Sequence, residues 1–189
     1  QNSINKELKE STYTLIQKDN IIDALTCFLS GNYKGINITA PFKEQLFSPE
    51  VLELFKEYGF TFLPDKISSF LRCANILVKD DRQKELRSYN SDYMGVKSII
   101  EIVGKQKELK HIAVVGAGGA GKAAAMAVAD CGIELSVINR TNMSSFCTGI
   151  NTLFCRQNGA AHLASFCSIN DYQAVSLILS RTDMVISTI

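Results

Sequence analysis

The chain has 189 residues, 46% of them hydrophobic and 21% charged, with a formal net charge of +1. That balance is ordinary for a globular protein, gives no electrostatic footprint for nucleic acid or an anionic membrane surface, and contains no apolar run near the roughly 20 residues of a membrane span. The six cysteines show no C-x-x-C pairing and there are only two histidines. No structural zinc site is expected, and the cysteines read as buried thiols of a reducing compartment, the cytoplasm.

In chain order, Ile4 and Leu8 predict a short helix over residues 3–10, and the alternation in YTLIQ predicts a strand over 13–17. Asn20 precedes IIDALTCFLS, where Ile21, Ile22, Leu25, Phe28 and Leu29 share one helical face, so a helix runs from an Asn20 cap to a Gly31 stop. GINITA reads as a strand broken at Pro41. PEVLELFKEYG reads as a helix with Pro49 in its first turn. ANILVKDD and LRSYN are strands joined by the polar turn DDRQKE. From Ser91 the period lengthens into a helix, with Val96, Ile99, Ile100 and Val103 on one face and Gly104 at its end.

The charged stretch GKQKELK over 104–110 marks a boundary. Beyond it come HIAVV, a glycine turn and an alanine-rich helix. ELSVINR is a second strand, SSFCTGINTLFCRQNG a helix, AAHLASF a third strand, DYQAVSLILS a helix and DMVISTI a fourth strand. This βαβα alternation predicts a parallel sheet with helices on both faces. His111 and His162 stand at strand starts and read as structural or exposed. The chain begins at Gln1 rather than Met and stops in a strand-like run, so it is expected to be an excerpt of a longer protein.

The glycine turn reads GAGGAG, with Gly116, Gly118 and Gly121 in G-x-G-x-x-G spacing after an apolar strand and at the start of a helix. The first glycine permits the tight turn, the second lets backbone approach a pyrophosphate, and the third lets the helix pack on the strand. The helix N-terminus then faces the phosphates. An NAD site carries Asp or Glu about 20 residues further on, for the ribose 2′-OH. Here that place holds Asn139, Arg140 and Thr141. With no acid to repel a 2′-phosphate and an arginine to pair with one, NADP is the expected cofactor. Lys122 reads as a solvated helix lysine within possible reach of a phosphate.

NITAPFK ends on Lys43, and YNSDYMG carries Asp92 at the mouth of a helix. Alone, Lys43 reads as a solvated surface lysine and Asp92 as a capping or first-turn acid. Spacing does not bring them together. Tyr93 reads equally well as cleft or core.

These segments resemble the shikimate dehydrogenase family, quinate/shikimate dehydrogenases included. NITAPFK is similar to its N-V-T-x-P-x-K, ANILV to A-V-N-T-L-V, YNSDYMG to Y-N-T-D-x-x-G, and GAGGAGKA with VINRT to G-A-G-G-A-x-x-A and N-R-T. The matches keep the family's order across residues 37–141. The resemblance implies two α/β domains, the second a Rossmann-like doubly wound parallel sheet, with the active site in the cleft between them. It implies a substrate-binding and catalytic domain over residues 1–104 and an NADP-binding domain over 105–189. Lys43 would be the catalytic lysine and Asp92 its carboxylate partner, both on the reacting hydroxyl. Thr39 and Asn75 would bind other ring hydroxyls. Gly116, Ala117, Gly118, Gly119 and Ala120 would hold the pyrophosphate, and Asn139, Arg140 and Thr141 the 2′-phosphate. The implied reaction is the reversible, NADP-dependent reduction of 3-dehydroshikimate to shikimate by a cytoplasmic enzyme, a monomer or homodimer. Its partners are small molecules; no nucleic acid, membrane or metal is implied.

The chain departs from the family pattern at several points. The family's early S-x-S segment would precede Gln1, and its late Gln and returning helices would follow Ile189, so the excerpt alone is not expected to turn over substrate. Ile76 replaces a usual Thr and Ser91 another. Two further readings stand beside the main one: a paralogue acting on quinate or another hydroxylated ring acid, and a non-catalytic NADP-binding module. The chain could also be one part of a multifunctional protein.

Overall fold

The computed structural model describes residues 12–158 and 163–189. The helix expected over 3–10 and His162 lie outside the described residues. Two four-stranded sheets organise the rest.

The first sheet holds β1 (Gly35–Asn37), β2 (Thr61–Pro64), β3 (Ile76–Asp80) and β4 (Glu85–Tyr89), in the order β1-β3-β4-β2. β3 and β4 form the expected hairpin. Its turn is fixed by Asp80, whose Oδ1 accepts from the backbone N–H groups of Arg82 and Gln83. β1 is antiparallel to β3, and β2 parallel to β4. Helices α1 (Ile21–Ser30) and α2 (Pro49–Glu57) bury Leu25, Phe28, Val51 and Phe55 against Leu77 and Leu86 of this sheet. The first begins at its expected cap, Asn20, which accepts from the N–H of Asp23; Ser48 caps the second by accepting from that of Val51, with Pro49 in the first turn.

The second sheet is parallel throughout: β5 (His111–Val115), β6 (Glu134–Asn139), β7 (Ala164–Ser168) and β8 (Met184–Ser187), ordered β7-β6-β5-β8. One face carries α5 (Gly119–Asp130) and α6 (Ser144–Asn158), packed on Ile112, Val114, Leu135 and Val137. The other carries α7 (Tyr172–Ser180), packed on Ala113, Ile138 and Cys167. The side chains of β5 thus alternate between two cores, as a strand covered on both faces must. α5 is buried all round, Ala123 through Ala129 each at 0% exposure. Its run of alanines combines the highest helix propensity with the smallest side chain that still packs, so the sheet and α4 (Ser91–Gly104) both approach closely. α4 sends Val96 and Ile100 into that same core.

Several expectations change. Residues 12–18 form no strand; Tyr13 and Leu15 are each 79% exposed, and no ladder partner lies beside them among the described residues. A strand without a partner leaves its backbone groups to water. The GINITA strand ends at Asn37, because Phe42 N–H turns back to the carbonyl of Thr39 around a cis Ala40–Pro41 bond. Ile99 is 52% exposed, since one residue step rotates it about 100° away from buried Ile100. The third strand begins at Ala164, later than expected. β2 and α3 (Lys66–Leu71) went unread, both being shorter than the windows in which periodicity is legible.

Cys27, Cys73, Cys131, Cys147 and Cys167 are free thiols. His111 is buried, its ring bonded to Ser136 and Thr182. No described helix is long and apolar enough to cross a membrane.

Candidate functional site

Residues 73–75, just before β3, fasten the site. Ala74 N–H donates to the carbonyl of Lys43, Ile38 N–H to the carbonyl of Asn75, and Asn75 N–H to the carbonyl of Tyr89. One short segment therefore holds both the turn that ends on Lys43 and the strand that leads to Asp92. Asn90 caps α4 by accepting from Tyr93 N–H, and its amide donates to the carbonyl of Cys73. Asn75 completes the link: Oδ1 accepts from Ser91 N–H at 2.8 Å, and Nδ2 donates to Ser91 Oγ at 2.9 Å and Asp92 Oδ1 at 3.1 Å.

That scaffold brings together two side chains 49 positions apart. Lys43 Nζ donates to Asp92 Oδ2 at 2.6 Å, with the side chains 21% and 27% exposed. Asp92 is also a first-turn acid of α4, whose cap is Asn90. Neither oxygen of Asp92 lacks a donor, and the carboxylate is fixed in direction while Lys43 keeps two further N–H bonds to offer.

The glycine turn faces Lys43. A cavity of about 360 Å³ is lined on one side by Ala40, Pro41, Lys43 and Glu44, and on the other by the 118–121 turn and Thr188. Gly116 has φ +94°, and a β-carbon there would meet Thr188 and Ile189. A β-carbon at Gly121 would strike the carbonyl oxygen of Gly116 and stand 2.9 Å from Thr188 Oγ1. Gly119 packs over Cys73 and the Lys43 stem. Cys73 is buried among these groups; burial pushes its thiol pKa up, the Glu44 charge adds to this, and Lys43 and Lys122 oppose it. Lys122 Nζ donates to Glu44 Oε1 at 2.8 Å.

A second cavity, about 350 Å³, opens at the C-terminal end of β6 between Gly116, Asn139, Arg140, Thr141 and Ile169. Asn139 Nδ2 donates to the carbonyl of Thr141. Arg140 is exposed and pairs with no carboxylate among the described residues. Thr39 is exposed and lines a third cavity, which shares Ala40 and Pro41 with the first. Ala117 packs on the α5 core, while Ala120 lines the first cavity.

Tyr93 belongs to the core side, packed against the cluster around α5, with its hydroxyl on Asp130, which Lys97 also holds. Sequence reasoning missed Thr188 and Glu44. Thr188 had a readable signal: it ends the strand beside β5, across from the glycine turn, where strand order reverses and ligands of open α/β sheets bind. Among the described residues no cluster of His, Cys, Asp and Glu is suited to a metal ion.

A parallel sheet that reverses order beside a glycine turn, covered on both faces and set against a smaller mixed sheet, defines a Rossmann-type α/β protein. The chain is a relative of the shikimate dehydrogenases. It is 34% identical over 126 residues to the shikimate dehydrogenase (NADP(+)) of Archaeoglobus fulgidus, a match covering 67% of this chain and 40% of that protein. The chain thus spans about two fifths of such a relative's length. No family model matches it. The fold is shared with shikimate 5-dehydrogenase from Listeria monocytogenes, solved with shikimate and NAD (TM-score 0.66, 17% identity, 92% of this chain and 56% of that one). It is shared equally with quinate dehydrogenase from Corynebacterium glutamicum, solved with NAD (TM-score 0.65, 22% identity, 90% and 54%).

Proposed function

We propose that the protein is an NADP-dependent shikimate dehydrogenase of the cytoplasm, reversibly reducing 3-dehydroshikimate to shikimate. In this reading residues 1–104 form the substrate-binding and catalytic unit and 105–189 the NADP-binding unit. The observation that carries it is the Lys43–Asp92 pair at 2.6 Å, whose Lys43 lines the cavity shared with the glycine turn. A dinucleotide pyrophosphate suits the turn, because Gly116 and Gly121 let helix and turn pack closely and the space beside Gly118 is open. When bound, NADPH supplies a hydride to the carbonyl carbon of the substrate.

The chain's own residues do the rest. Lys43 hydrogen-bonds the carbonyl oxygen and gives it a proton as it becomes an alcohol; in the oxidative direction Lys43 accepts that proton. Asp92 orients the amine and accepts from the same hydroxyl. Asn75 keeps Asp92 in register and, with Thr39, recognises neighbouring ring hydroxyls. Arg140, with Asn139 and Thr141, pairs with the 2′-phosphate. A ring acid lacking one hydroxyl is rejected, since a site donor or acceptor is then left unpaired.

Quinate or a related ring acid is the second reading. It rests on Ile76, which offers no hydroxyl where the family pattern has Thr and so changes which ring hydroxyls the site can bind.

Lys43→Ala tests the proposal. Shikimate oxidation should fall about 10²- to 10⁴-fold, while NADPH affinity stays within about twofold of wild type. Unchanged turnover removes Lys43 from the mechanism, and turnover with quinate alone selects the second reading.

A further inference from the structure

Glu44, in the turn after Pro41, and Lys122, in α5, stand 78 residues apart, yet their side chains meet at 2.8 Å beside the cavity that Lys43 lines. Lys122 lies in the first turns of α5. Helical side chains tilt toward the N-terminus, so its ammonium is carried toward the end of α5 where the dipole and free N–H groups attract an anion. α5 itself provides no counter-charge there: its N-cap is Gly118, with no side-chain hydrogen bond, and its first turn carries no acid. The carboxylate that comes to this end is Glu44, from the turn that follows Pro41. It shares the cavity lining with Gly118, Gly119, Ala120 and Gly121. Glu44 is also the residue next to Lys43, whose carbonyl is pinned by Ala74.

We infer that the Glu44–Lys122 pair is a latch opened by dinucleotide phosphate: Lys122 exchanges the Glu44 carboxylate for the pyrophosphate. The inference rests on the NADP reading above. The exchange is favourable because a pyrophosphate carries more charge than one carboxylate. It is inexpensive because the pair is partly exposed, with side chains 27% and 53% open to solvent, and such pairs hold weakly.

The latch and a static strut between the sheets predict opposite signs. In the latch, Glu44 competes with the cofactor for Lys122. Removing Glu44 therefore helps binding.

The test is NADPH binding by nicotinamide fluorescence for wild type, Glu44→Gln, Lys122→Gln and the double variant, with circular dichroism confirming the fold of each. Glu44→Gln should tighten NADPH about two- to fivefold, Lys122→Gln should weaken it about three- to tenfold, and the double variant should match Lys122→Gln. The salt dependence of binding should be shallower in Lys122→Gln. Weaker or unchanged binding by folded Glu44→Gln overturns the latch and leaves the NADP reading standing. A folded wild type that binds neither NADPH nor inorganic pyrophosphate overturns both.

Discussion

Replacing Gly121 by alanine adds one methyl group at the tightest point of the second sheet. Its β-carbon would overlap the carbonyl oxygen of Gly116, lie 2.7 Å from the Gly116 carbonyl carbon and 2.9 Å from Thr188 Oγ1. Two of these contacts are backbone, so rotating a side chain does not relieve them. The alanine also raises helix propensity by about 0.8–1 kcal/mol, since glycine is the poorer helix former. Overpacking of a well-packed site costs about 1–3 kcal/mol. A clash with fixed backbone belongs at the upper end of that range, which leaves a net loss of about 1–2 kcal/mol. For a chain of this size that lowers the melting temperature by roughly 2–8 °C. The relaxation open to the molecule is a shift of the α5 N-terminus away from the turn, which also widens the place proposed for the pyrophosphate. Thermal melting and NADPH titration on the same sample check both effects. A variant that melts within about 1 °C of wild type and binds NADPH equally well would refute the argument that close helix–turn contact requires glycine here.

Arg140→Gln should weaken NADP binding about ten- to a hundredfold, the range of a lost charge-assisted bond, and leave NAD binding unchanged; equal losses for both cofactors would remove Arg140 from the 2′-phosphate. Lys79→Met should lower stability by about 1–3 kcal/mol, because the buried Lys79 ammonium donates to the carbonyls of Phe28, Leu29 and Gly31 at the C-terminus of α1; urea unfolding at an unchanged midpoint would contradict this. Burial, then the hydrogen bond to Asp130, pushes the Tyr93 hydroxyl up to about 12 from an ordinary 10.0. Between those values the unfolded chain loses a proton that the folded chain keeps, so this contribution is intact below about pH 10 and is lost as pH rises toward about 12. Wild type should therefore lose more stability than Tyr93→Phe between about pH 9 and about pH 11, and parallel losses would show that Tyr93 carries no such linkage.

The second sheet was largely legible because it is built from local rules. Apolar strands, glycines at three spaced positions and an alanine helix each fix their own conformation, and a right-handed crossover leaves few ways to assemble them. The hairpin of β3 and β4, the cap at Asn20 and Pro49 in the first turn of α2 were legible for the same reason. β2 was not, since it is a four-residue edge strand ending in Pro64 and draws its place from pairing with β4 rather than from its own pattern. The segment 13–17 erred the other way: alternation describes a strand that has a partner, and alternation is all that a sequence displays. Ile99 shows the limit of helical periodicity, where a stripe read one residue too wide puts an apolar side chain into water.

The meeting of Lys43 and Asp92 belongs to a different order of information. Neither residue's neighbourhood calls for the other, and by local rules Lys43 reads as a surface charge and Asp92 as a capping or first-turn acid. Their convergence is set by backbone bonds made elsewhere: Ala74 to Lys43, Ile38 to Asn75, Asn75 to Tyr89. Each is a long-range pairing whose donor or acceptor is a main-chain group, which any residue type could supply. The one side chain that reveals the arrangement is Asn75. Its amide must both accept from Ser91 N–H and donate to Asp92, which an aspartate could not do, having no donor, and a leucine could not do at all. An asparagine at the mouth of a strand thus holds in place the carboxylate that meets Lys43. The family resemblance detected the pair because that requirement leaves a residue type, and not merely a shape, in the sequence.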